Sequence, residues 1–75
     1  MKPEDFKANQ KGLKLKNYQI ALVFGKTTRT IVSYRNGSQP VPNDLANLLT
    51  FLAWLNKQQP ELWEKGKARF FSGGE

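Results

Sequence analysis

Helix start and stop signals divide this chain into short segments and restrict what it can fold into. Pro3-Glu4-Asp5 is typical of a helix start, because proline fits the first helical turn and carboxylates complement the helix dipole. Gly25 and Asn36-Gly37 are typical of helix ends, because both residue types adopt the left-handed backbone that stops a helix. Pro60 opens a further segment. These signals leave room only for short helices.

We therefore predict an all-α fold, a bundle of about five short helices. The β-branched residues of the third segment also suit a strand, but the spacing of Ile31 and Tyr34, with Thr27 as N-cap, favours a helix. The expected helices begin at Pro3 and then cover about 17–24, 28–35, 42–58 and 60–70.

The composition of the chain excludes several classes of function. Its 75 residues suffice for one domain with a small core, and they include no Cys and no His. Thiolate nucleophiles, imidazole general bases and the usual zinc-ligand sets are therefore excluded. We expect no catalysis, no cofactor and no metal site. The longest apolar stretch is far shorter than the ~20 residues that span a bilayer. We expect no signal peptide, because the amino terminus is polar.

The positive charge is concentrated in the first half of the chain. Twelve Lys and Arg against six Asp and Glu give a net charge of +6. No carboxylate lies between Phe6 and Asn43, whereas residues 44–75 are neutral in balance. The basic residues of the first stretch are Lys7, Lys11, Lys14, Lys16, Lys26, Arg29 and Arg35. A field of this sign favours a polyanionic partner such as nucleic acid, or else serves only solubility.

The stretch from 17 to 37 has the features that a helix-turn-helix unit needs. Two short helices meet at Gly25-Lys26, where glycine permits the turn, and Ala21 is small enough for close helix packing. Three apolar residues can anchor the pair on a core, namely Ile20, Ile31 and Tyr34. The outer side chains of the second helix are then free to enter the major groove of DNA.

This stretch resembles the Xre family of helix-turn-helix regulators, to which phage Cro and lambda-type repressors belong. The matching residues are Asn17, Ile20, Ala21, Gly25, Thr27, Ile31, Tyr34, Asn36 and Gly37. Pro40-Val41-Pro42 followed by Leu45, Leu48 and Leu49 is similar to the family's fourth helix. The resemblance covers roughly residues 3–56. It implies a lambda-repressor-like bundle in which residues 1–75 form one domain, with the helix-turn-helix at 16–37 and packing or dimerisation helices at 42–71.

Three positions depart from the family pattern. Lys14 stands where the family often ends its first helix with glycine. Asn17 stands where glutamine is usual, which shortens a phosphate-contacting side chain. The family often buries an Arg–Glu pair between its first helix and the residue before Asn-Gly, and the corresponding residues here are Gln10 and Arg35.

The resemblance assigns base reading to the outer face of the third helix. The residues at the corresponding positions are Thr28, Arg29, Val32 and Ser33. Arginine can donate two hydrogen bonds to guanine, threonine and valine can contact a thymine methyl, and serine can bond to several bases. The alternative is an ordinary solvated helix face.

Phosphate contacts are expected around the same face. The family's phosphate-contacting positions correspond to Asn17, Lys26, Thr27 and Asn36, and Arg35 adds a further positive charge. Amides at a helix start, a basic turn residue and a capping hydroxyl can all donate to phosphate oxygens. Thr27 and Asn36 can instead simply cap the third helix, and both roles can hold together.

The fourth helix carries apolar residues on two sides. One stripe, formed by Leu45, Leu48, Leu49 and Leu52, is expected to pack on the helix-turn-helix. The other side must meet either the fifth helix or another subunit. We predict a dimer interface, with packing inside one chain as the alternative. The residues predicted to form the dimer interface are Phe51, Trp54, Leu55, Trp63 and Phe70.

These features predict a sequence-specific double-stranded DNA-binding transcriptional regulator, a repressor that binds a palindromic operator as a homodimer. We expect it in the cytoplasm of a prokaryote, encoded by the cell or by a phage. An alternative of another class is an antitoxin-type or adaptor protein whose carboxyl-terminal helices bind a protein partner. RNA binding is a third hypothesis, but Tyr34 is expected to be buried and so unable to stack on bases.

Overall fold

Five helices form the fold in this computed structural model, which describes residues 1–72. They are α1 (Pro3–Leu13), α2 (Asn17–Phe24), α3 (Thr28–Asn36), α4 (Asn43–Gln58) and α5 (Pro60–Ser72). No strand occurs within the described residues. The predicted all-α bundle of about five short helices is confirmed. The last three residues of the predicted 1–75 domain lie outside the described residues.

Left-handed backbone conformations end the first three helices. Gly25 follows α2 with a φ of 67°, and Gly37 follows α3 with a φ of 83°. Lys14 follows α1 with a φ of 58°, and it is the only non-glycine residue with positive φ between Met1 and Ser72. The backbone N–H of Lys14 donates to the carbonyl oxygen of Lys11 at 3.1 Å, which closes the last turn of α1.

The core of the bundle is built around Phe6 of α1. Its ring packs edge-on against Phe24 of α2 and Tyr34 of α3, with centroid distances of 6.2 and 5.9 Å. Ile20 and Ile31, the other two predicted anchors, are also buried. α2 and α3 are therefore held on α1 by their buried sides, and the predicted base-reading face of α3 lies on the opposite side.

One side of α4 closes this core. The predicted stripe provides it, since Leu45 and Leu49 are buried and Leu48 and Leu52 are half-buried against the core. Phe51 and Trp54 lie on the other side, with exposed fractions of 56% and 55%. The fifth helix therefore does not cover this pair of rings.

α5 reaches the end of α1 through Trp63. This residue is only 7% exposed, and its Nε1–H donates to the carbonyl oxygen of Leu13 at 3.3 Å. Asn56 of α4 donates from Nδ2 to the carbonyl oxygen of Gly12 at 3.1 Å. Both bonds satisfy carbonyl groups that a helix end leaves without helical partners. Trp63, which we predicted to lie in a dimer interface, therefore packs mainly inside a single chain.

Candidate nucleic-acid interface

A three-residue turn, Gly25-Lys26-Thr27, joins α2 to α3. The backbone N–H of Lys26 donates to the carbonyl oxygen of Ala21 at 2.9 Å, so the turn is tied to the end of α2. The Oγ1 of Thr27 accepts a hydrogen bond from the backbone N–H of Thr30 at 3.2 Å. The predicted capping role of Thr27 is confirmed, and it fixes the point at which α3 begins.

α3 has one buried side and one exposed side. Ile31 and Tyr34 hold the buried side in the core, where Tyr34 is 4% exposed. The predicted base-reading residues lie on the other side, where Thr28 and Arg29 are exposed, Val32 is 43% exposed and Ser33 is half-buried. Three of these side chains are therefore exposed to an approaching partner, and Ser33 is less accessible.

The basic residues of the first half are not neutralised by neighbouring carboxylates. Within residues 1–72, the one ion pair joins Lys67 Nζ to a carboxylate oxygen of Glu64 at 3.1 Å, on α5. Of the seven basic residues between Phe6 and Asn43, all but the half-buried Arg35 are exposed. The positive charge of residues 7–35 therefore faces solvent without an ion pair to any described carboxylate.

Two of the predicted phosphate contacts, Asn17 and Arg35, meet at one buried side chain. Gln10 is 5% exposed, and its Nε2 donates to the carbonyl oxygen of Leu15 at 3.0 Å and to Oδ1 of Asn17 at 2.8 Å. Its Oε1 accepts a hydrogen bond from Nη1 of Arg35 at 2.5 Å. Gln10 and Arg35, which occupy the positions of the family's Arg–Glu pair, are thus joined by a hydrogen bond. A single amide thus connects α1, the start of α2 and the end of α3.

The other predicted phosphate contacts lie at the two ends of α3. Lys26 and Thr27 are exposed in the turn that precedes it, and Asn36 is exposed as its last residue. The Oδ1 of Asn36 accepts a hydrogen bond from the backbone N–H of Ser38 at 2.9 Å, which stabilises the turn after α3. A side-chain cap is therefore observed at the start of α3, whereas Asn36 stabilises the turn that follows its end.

The link between Gln10 and Asn17 is the part of this site that the sequence interpretation missed. Phe6, Gln10 and Leu13 follow the i, i+4, i+7 spacing of the buried side of α1, so a polar residue occupies a core position. A buried amide needs several hydrogen-bond partners. The sequence could therefore have predicted that Gln10 has hydrogen-bond partners, although it does not show which residues they are.

A second exposed feature is an apolar groove of about 360 Å³ between α4 and α5. We call it the α4–α5 groove, and its walls include Leu48, Leu52, Leu55, Leu62, Trp63 and Phe70. Among the predicted dimer residues, Leu55, Trp63 and Phe70 line this groove. Phe51 and Trp54 lie beside it on α4, with their rings stacked at a centroid distance of 6.1 Å. Phe51 follows Leu48 by three residues and precedes Leu55 by four, so the rings continue the groove's apolar surface.

Comparison of the chain with family models, with curated proteins and with solved structures gives no match. The arrangement of its own residues therefore carries the functional interpretation. In the described part of the chain, no helix combines the length and apolar character required to cross a bilayer.

Proposed function

We propose that this protein is a sequence-specific double-stranded DNA-binding transcriptional regulator of the Xre/Cro type, acting as a repressor. The observation that carries the proposal is the outer face of α3. It presents Thr28, Arg29 and Val32 to solvent on a helix whose start is fixed by the Thr27 cap. A short turn joins this helix to α2, which is the layout by which helix-turn-helix proteins place a helix in the major groove.

The chemistry of this face suits base edges. Arg29 makes no hydrogen bond or ion pair with the described residues, so its guanidinium is available to donate to O6 and N7 of a guanine. The methyl groups of Thr28 and Val32 suit contact with a thymine methyl. Ser33 is half-buried, so its hydroxyl can hydrogen-bond only to a base that lies close to α3.

The surroundings of this face suit the sugar–phosphate backbone. Lys26 and Thr27 precede α3, Asn36 ends it, and Asn17 begins α2. Contacts of this kind fix the register and orientation of a protein on the duplex without reading its sequence. The positive charge of residues 7–35, a stretch without carboxylates, adds affinity that depends on salt concentration.

Operator recognition calls for two copies of this chain. A single small module buries roughly 600–1,000 Å² on DNA and reads only a few base pairs. Two copies reading half-sites about 34–36 Å apart would extend the site and make it palindromic. We place the dimer contact on Phe51, Trp54 and the α4–α5 groove, because this surface is apolar and belongs to the neutral half of the chain. Occupancy of such an operator would exclude polymerase without any catalysis.

Selection of bound sequences from a random duplex pool tests the proposal. We expect a palindromic consensus with half-sites one helical turn apart. Recovery of no consensus, with similar binding to every duplex, would contradict sequence-specific recognition.

A second candidate function is an antitoxin-type or adaptor protein, and the α4–α5 groove is the observation that favours it. The groove and the neighbouring rings would then hold a protein partner instead of a second copy of this chain. Arg29→Ala would leave the activity of such an adaptor intact, whereas it would impair operator binding by the regulator.

A further inference from the structure

Donor and acceptor chemistry fixes how the buried amide of Gln10 is oriented. An arginine side chain only donates, so the Gln10 atom that meets Arg35 is Oε1. The carbonyl oxygen of Leu15 only accepts, so it meets Nε2. Because these two partners lie at opposite ends of the amide, the alternative orientation would break both hydrogen bonds.

The orientation of Asn17 follows from that of Gln10. The second Nε2 hydrogen of Gln10 points at Asn17, and only the Oδ1 atom of that side chain can accept it. The Nδ2 of Asn17 therefore faces away from Gln10. It makes no hydrogen bond within residues 1–72, and since no buried side-chain nitrogen or oxygen there lacks a partner, Nδ2 is in contact with solvent.

The position of Asn17 makes this orientation matter for an anionic partner. Asn17 is the first residue of α2, where backbone N–H groups without helical partners and the helix dipole favour a negative charge. With Oδ1 turned inward, the side chain adds two further donors to that end of the helix. With the opposite orientation it would present an oxygen to the same anion.

We propose that Gln10 is a positioning residue for DNA binding, which holds Asn17 so that its Nδ2 donors face a backbone phosphate. The inference rests on the proposed function and adds a residue that does not itself touch DNA. A side chain held in its binding orientation loses less conformational freedom on association. The buried amide thereby supports a phosphate contact made by the short side chain of Asn17.

Gln10→Glu tests the proposal because it replaces the donating Nε2 group by an acceptor oxygen and keeps the size of the side chain. The carboxylate still accepts from Arg35, but it can no longer donate to Asn17. Asn17 then turns its Nδ2 inward and leaves its oxygen facing the phosphate. We expect affinity for duplex DNA to fall about tenfold, as for loss of a hydrogen bond to a charged group. Gln39→Glu, the same charge change at an exposed loop residue, is the matched control and should lower affinity less than about threefold.

Combination with Asn17→Ala separates positioning from a general effect on the fold. If Gln10 acts through Asn17, Gln10→Glu should weaken binding in the Asn17→Ala background only as much as Gln39→Glu does. Losses that multiply in the double variant would overturn the inference while leaving the proposed function standing. Failure of the unaltered protein to bind any duplex would overturn both.

Two measurements keep the proposal testable if Gln10→Glu does not fold. In the free protein, nuclear magnetic resonance should show slow solvent exchange of the Gln10 side-chain amide hydrogens and fast exchange of those of Asn17. Asn17→Asp keeps the inward oxygen and replaces the outward donor by an oxygen, so it should fold normally and bind DNA more weakly than Asn17→Ala. Equal exchange at the two amides, or tight binding by Asn17→Asp, would overturn the inference.

Discussion

Among single residues, Lys14 holds a backbone conformation that costs an L-amino acid roughly 1–2 kcal/mol. Glycine adopts it freely but loses more conformational entropy on folding. We expect Lys14→Gly to raise the free energy of unfolding by about 0.5–1 kcal/mol, measured by urea denaturation. Lys11→Gly is the matched control, because it removes the same charge from inside α1 and should lower stability by about 1 kcal/mol. A Lys14→Gly protein no more stable than the parent would contradict this account of the helix end.

Arg29 is the residue on which sequence reading depends in the proposed function. Arg29→Ala should weaken binding to the selected operator by ~1–3 kcal/mol and relax the preference at one base position in each half-site. Competition assays with duplexes that vary one base at a time measure both effects.

Lys26→Ala is the control for Arg29→Ala, since it removes one positive charge from the neighbouring turn. As a phosphate contact, Lys26 should contribute equally on all sequences. Its loss should make the slope of log affinity against log salt shallower by about 1. If Arg29→Ala instead weakens specific and random DNA alike, Arg29 is a phosphate contact and does not read a base.

Among the elements, α3 depends on the hydroxyl of Thr27 for its start. Thr27→Ala should lower the free energy of unfolding by about 1 kcal/mol, because the N–H of Thr30 loses its partner. Thr27→Asp should retain the cap and hence the stability, while its negative charge beside the proposed phosphate weakens DNA binding. Thermal unfolding and DNA titration of the two variants separate these effects. If Thr27→Asp bound DNA with unchanged affinity, Thr27 would not be a phosphate contact.

Helix positions were predictable from sequence because their signals are local. The caps and stops at Thr27, Gly25 and Gly37 act within a few residues and hold their predicted places. The burial of Trp63 within one chain was not predicted, because apolar spacing shows that a side of α5 is apolar but not which neighbour it meets. The bonds of Gln10 were not predictable in full, since they depend on how three helices are oriented in space.

At the scale of the whole molecule, we expect Trp54 to contribute to dimerisation and Trp63 to the stability of the monomer. Trp54→Ala should lower dimerisation and operator affinity and leave the monomer helical, as measured by sedimentation and circular dichroism. Trp63→Ala should instead destabilise the monomer by about 3–5 kcal/mol, because it empties a core position and removes the bond to Leu13. Normal dimerisation of Trp54→Ala, or its unfolding, would show that Trp54 belongs to the monomer and not to the dimer contact.

The contrast between these two indoles also gives the protein its own pair of optical reporters. Trp63 is 7% exposed and hydrogen-bonded, so its emission should lie at short wavelength and shift strongly to the red when the chain unfolds. Trp54 is in contact with water, so a soluble quencher such as iodide should reach it in the free chain and lose access when a partner covers that surface. Fluorescence of the unlabelled protein can therefore follow folding and assembly as separate events in one sample.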